Sequence, residues 1–138
     1  MMGLVFLHRL LDREARQAFA ALAHRVLQSS GEISATEARV LFVMLAELEL
    51  DVSALEASEP IERMVTRIRH PRARMAALLE LLRLAHADGD IRPEEREFIH
   101  WVATAWGMRK RDLTRAEDWA RRHDGLVQQA VLMIDNAR

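Results

Sequence analysis

The chain has 138 residues, the size of one ordinary domain, and at that length folding hides roughly 68% of the unfolded chain's surface, so a core forms without staples. Half the residues are apolar and 30% are charged, which excludes both a disordered tail and a membrane span. Twenty Lys and Arg against 21 Asp and Glu give a net charge of -1, so the chain as a whole is no general nucleic-acid binder. The absence of cysteine excludes disulfides, thiolate metal sites and a cysteine nucleophile.

Five Gly and three Pro are too few for the tight turns of a sandwich or barrel. Ala, Leu, Arg and Glu are abundant, and all four favour helices. The expected class is all-α: a compact bundle of six to seven helices in a single domain spanning 1–138. The apolar start from Met1 to Leu7 lacks a basic region before it and is soon followed by Arg9, Asp12 and Arg13. It is too short for a signal peptide, and the expectation is a cytoplasmic protein without a membrane span.

In chain order, Leu4, Leu7, Leu11, Ala15, Ala18, Leu22 and Val26 recur at steps of three and four. They predict one long amphipathic helix, or two, ending near Gln28. Gly31 suits a left-handed position just past that end. Ser34-Ala35-Thr36-Glu37 is a capping box opening a helix with the stripe Val40, Leu41, Met44, Leu45 and Leu48. The stretch 51–59 is a polar connection with at most one helical turn from Ser53. Pro60 suits a first helical position, with Ile61, Met64, Val65 and Ile68 behind it. His70-Pro71 breaks that helix, because a residue before Pro avoids the α region.

Pro71 opens the next helix, carrying Met75, Leu78, Leu79, Leu82 and Ala85, which stops at Asp88-Gly89-Asp90. Pro93 opens another, with Phe98, Trp101, Val102 and Ala105, closed by Gly107. Thr114-Arg115-Ala116-Glu117 reads as a second capping box. Asp124-Gly125 is placed to kink or split the final stretch, which carries Leu126, Val127, Ala130, Val131 and Ile134. Trp101, Trp106 and Trp119 fall on apolar stripes and are expected in the core rather than stacked on bases.

One pattern exceeds helical background. Gly31-Glu32-Ile33 with Glu37 matches Gly89-Asp90-Ile91 with Glu95 at an offset of 58 (that is, 89 − 31), and Leu48 aligns with Trp106. Two helix–loop–helix halves related by pseudo-symmetry follow, with Ile33 and Ile91 close to each other at the axis. An EF-hand is excluded, because its first ligand position would fall on Leu84 or Val26, which carry no carboxylate.

Ala87-Asp88-Gly89-Asp90-Ile91-Arg92-Pro93-Glu94-Glu95, then Phe98-Ile99 and Trp106-Gly107-Met108, resembles the TerB-like family. Its domains are named for bacterial tellurite resistance and are similar to the amino-terminal domain of a membrane-anchored J-domain co-chaperone. The resemblance spans roughly 16–113 and includes both loops, although Ser29-Ser30-Gly31 replaces Ala-Asp-Gly in the first. It implies a non-catalytic, all-helical domain tied to stress response, with an acidic cluster suited to a divalent cation.

Asp88, Asp90, Glu94 and Glu95 set four carboxylates in eight residues, and hard oxygen ligands suit calcium or magnesium. Acids at a helix start are also favoured by the helix dipole, by about 0.3–1 kcal/mol each, without any metal. Glu97-x-x-His100 is a surface pair, because the di-iron pattern that it spells needs a second copy on a facing helix. Arg63, Arg67, Arg69, Arg72 and Arg74 gather around His70-Pro71 and are the candidate contact for an acidic partner, a protein before a nucleic acid. No nucleophile elbow or phosphate-cradling Gly loop is present.

Overall fold

In a computed structural model of the chain, residues 6, 12–56, 59–86, 89 and 91–138 are described. Six α-helices and a 3-10 turn make up these residues: α1 Arg13–Gln28, α2 Ala35–Glu47, the turn Val52–Glu56, α3 Ile61–Arg67, α4 Pro71–Ala85, α5 Pro93–Ala105 and α6 Lys110–Asp135. No strand occurs among them.

Each start has a local cause. Asp12 caps α1 by accepting from the Ala15 N–H at 2.8 Å. Asp12 also sets the boundary of the first predicted stripe; Leu4, Leu7 and Leu11 lie outside the described residues. Ser34 and Glu37 form the expected capping box, each bonding the other's backbone N–H at 3.0 Å. Pro60 is the residue before α3 rather than its first, one position from expectation. Pro71 does open α4, with His70 extended before it.

The second capping box does not exist. Thr114 and Glu117 lie inside α6, where the Thr114 hydroxyl bonds back to the Lys110 carbonyl at 3.0 Å. The same residue pattern serves mid-helix, because Thr can satisfy its hydroxyl on the preceding turn. Nor does Gly125 interrupt α6, which runs unbroken for 26 residues. Trp101 is 43% exposed, not core. The buried face of α5 is Ile99, Val102, Ala103 and Trp106, at helical spacing, and Trp101 falls two positions off it. Trp106 is buried and donates its Nε1–H to the Val65 carbonyl at 2.8 Å. Trp119 is half-buried, edge-on to Phe6 with ring centroids 6.2 Å apart.

The core centres on α1, which packs against α2, α3, α4, α5 and the 3-10 turn. Every residue from Ala18 to Ala23 is buried, so the middle of this helix is covered on all sides. Its five alanines let neighbouring backbones come close. Helix α4 is its counterpart, with Ala76, Ala77, Leu78, Leu81, Leu82 and Leu84 buried.

The internal repeat extends well beyond the loops that revealed it. Shifted by 58, α2 (35–47) coincides with α5 (93–105), and α1 with α4 to within one residue. Gly31 and Gly89 have φ of 108° and 112° and donate to the carbonyls of Gln28 and His86 at 3.1 and 3.0 Å. Helices α2 and α5 end identically, the Leu50 N–H bonding Leu45 and the Met108 N–H bonding Ala103 at 2.9 and 3.0 Å. The left-handed residue of that motif is Glu49 in one half and Gly107 in the other, with φ of 61° and 72°. Ile33 and Ile91 are both half-buried against the core.

Candidate functional site

The seam between the halves is built from their equivalent glutamates. Glu37 and Glu95 occupy the third position of α2 and α5 and are each 1% exposed. Four groups meet there. The Arg92 guanidinium donates to the Ser30 hydroxyl at 2.9 Å and lies 3.8 Å from the Glu37 carboxylate. Ser30 in turn donates to Glu95 at 3.3 Å, and Glu95 accepts from the Arg92 backbone N–H at 3.4 Å.

Burial pushes the Glu95 carboxyl above its ordinary range and nearby Glu37 adds to this, although the bonds from Arg92 and Ser30 pull it back in part. Ser30 stands where the second half has Asp88, and this replacement has a physical meaning. A hydroxyl can donate to Glu95, whereas a third carboxylate beside Glu37 and Glu95 could only repel. In the sequence Ser30 reads as a turn residue and Glu37 as a cap. The signal available for the seam was the identical register of Glu37 and Glu95 in the repeat.

Of the four acids expected to hold a cation, Asp88 and Asp90 lie outside the described residues. Glu94 is exposed in the first turn of α5, and Glu95 turns inward to the seam. Among the described residues no three His, Asp or Glu side chains converge as a metal site. Leu84 and Val26 are buried, in keeping with the rejection of an EF-hand. His100 pairs with Glu117 at 2.9 Å rather than with Glu97.

The five arginines divide into two kinds. Arg67 is committed to Glu59 at 2.9 Å and reaches Glu14 at 3.8 Å, tying α3 to α1. Arg74 donates to the Ile68 carbonyl at 2.6 Å, closing the α3–α4 break. Arg63, Arg69 and Arg72 are exposed and pair with none of the described residues. Beside them Arg67, Arg69 and His70 face Asp12 and Glu14 across a cleft of about 240 Å³.

The serines among the described residues serve structure. Ser29 donates to the Val26 carbonyl at 2.6 Å, Ser34 caps α2, and Ser53 bonds Asp51.

A family model described as "Tellurite resistance protein TerB" matches residues 9–118, which takes in both halves and the seam. The chain belongs to the TerB family. Comparison with curated proteins and with solved structures gave no match. The TerB match ends within α6, two residues before Ala120, the last buried residue of that helix. No helix among the described residues of this TerB domain is long and apolar enough to cross a membrane.

Proposed function

We propose that this chain is a non-catalytic binding module of the tellurite-resistance type, serving a stress response, and that the loop at 88–95 takes a divalent cation, calcium or magnesium. Family membership supports the module. For the site, the supporting observation is that Glu95 is pinned by Ser30 and the Arg92 backbone. This fixes the start of α5, at whose exposed edge Glu94 stands. Asp88 and Asp90 adjoin it in sequence and complete the set of acids. The helix dipole already relieves part of their repulsion, so affinity is modest. Calorimetric titration of calcium, then magnesium, into metal-free protein tests this, with loss of binding expected in Asp88→Asn with Asp90→Asn. Binding unchanged in that variant, or none at millimolar cation, refutes it.

A second reading rests on Arg63, Arg69 and Arg72, whose charges are free of any described partner and are offered to an acidic protein surface. Arg69→Glu with Arg72→Glu would abolish such an interaction and leave cation binding unchanged. Arg67 is unsuited to that test, because its removal also releases Glu59.

A further inference from the structure

Helices α4 and α6 run side by side in the same direction. Met75 and Leu79 share a groove of about 440 Å³ with Arg115 and Trp119, and the Arg83 charge acts on His123. The pairs keep one offset of 40 (115 − 75, 119 − 79, 123 − 83), so the starts of the two helices, Pro71 and Lys110, lie level. Helical spacing then sets Arg72 one turn before Met75, and Arg111 one turn before Arg115, at the head of the groove.

The floor is apolar. Met75, Leu79 and Trp119 are half-buried, and the Trp119 ring is braced by Phe6 and His123, with centroids 6.2 and 5.2 Å away. The rim is charged. Asp118 is taken up by Arg121 and Arg122, and Asp112 stands in the first turn of α6, where the helix dipole favours an acid. Arg72, Arg111 and Arg115 are exposed and pair with none of the described residues.

The repeat shows that the architecture does not require this lining. Shifted by 58, Met75 and Leu79 become Gln17 and Ala21, which line the matching groove of the first half with Arg13, Glu49 and Asp51. One half thus has a polar groove, and the other an apolar floor below Arg72, Arg111 and Arg115. An occupant that answers both features brings an apolar side chain and negative charge together. A nucleic-acid backbone brings charge without an apolar group for the floor, and Asp112 and Asp118 oppose it. An acidic segment of a protein offers both.

We propose that the α4–α6 groove docks an acidic segment of a partner protein, an apolar side chain resting on Met75, Leu79 and Trp119 and carboxylates meeting Arg72, Arg111 and Arg115. Such docking rests on the second reading above, an acidic protein partner, and fixes where that partner's apolar group is held. So short a groove falls below the area of about 1,200–2,000 Å² typical of stable interfaces. The complex is therefore transient, and salt weakens it.

A displayed library of random peptides of about 12 residues, enough for three helical turns, selected against the full chain, supplies the probe. Selected sequences are expected to set Leu, Phe or Trp among Asp and Glu. In titrations of one such synthetic peptide followed by fluorescence anisotropy, Arg115→Glu and Met75→Gln should each weaken binding at least about tenfold. Helix content should not change, because Arg115 is exposed and Gln is the residue that the first half carries at the position of Met75. Arg69→Glu should leave the affinity as it is, since Arg69 lines the other cleft, with Asp12 and Glu14. Binding lost in Arg69→Glu but kept in Met75→Gln would overturn the groove and leave the acidic-partner reading standing. Selected peptides without acids, or no selection at all, would overturn both. Binding to a DNA duplex or to phosphatidylserine vesicles that Arg115→Glu abolishes and Met75→Gln does not would assign these arginines to phosphates and overturn the proposal.

Discussion

Glu95 and Glu117 titrate in opposite senses, and each leaves a distinct mark on stability. Burial raises the folded-state pKa of Glu95 above its unfolded value. Its stabilising contribution is full below the unfolded pKa and lost as pH rises through the folded one. Glu95→Gln, which keeps an oxygen to accept from Arg92, should match the wild type near pH 4 and become the more stable protein as pH rises towards about 7. Urea midpoints across that range decide it, and a constant difference refutes it. At Glu117 partial burial works upward, but the bonds and charges of His100 and Arg96 outweigh it and lower the pKa. Stability from that cluster is present above the unfolded pKa and lost as pH falls. Glu80 is a harsher case, because it and Arg83 are buried together on α4 with contacts of 2.8 and 3.1 Å. Glu80→Ala removes both of these charged hydrogen bonds from the Arg83 guanidinium and should cost about 1.5–3 kcal/mol in chemical denaturation. The environment of Glu95 was not legible in the sequence. The partners of Glu95 lie up to 65 residues away, and only folding brings them to the seam.

At the scale of elements, what could be read was whatever the chain decides locally. The Ser34 box, Pro71 and Pro93 starts, and Gly89 turn all follow from residues within one helical turn of each other. The Thr114 error came from the same locality, since a capping pattern does not reveal whether the chain before it is already helical. The repeat offers a paired test. Gly89 has φ of 112° with open space where an alanine methyl would stand, so Gly89→Ala meets backbone strain alone and should cost about 1–2 kcal/mol. Glu49 is the opposite case, a side-chain-bearing residue held left-handed where its equivalent is Gly107. Glu49→Gly should stabilise the protein by about 0.5–1 kcal/mol. Thermal unfolding of the two variants should move in opposite directions, and a shift in the same direction would show that the equivalence of the two halves does not extend to energetics.

At the scale of the molecule, α1 lies within a sheath formed by elements from both halves. Its amides can therefore meet solvent only when the halves part, an event that amounts to unfolding the whole domain. The far turns of α6 have no such cover and fray alone. In deuterated water the amides of 18–27 should exchange last, together, at the rate set by global opening. Those of 126–135 should exchange orders of magnitude sooner in dilute protein. Mass spectrometry of deuterium uptake by peptide reads both, and early exchange in α1 would show that one half opens without the other. A chain assembled from two similar halves thus has a single cooperative unit with a labile extension, and a protease meeting it in solution would trim that extension long before it cut between the repeats.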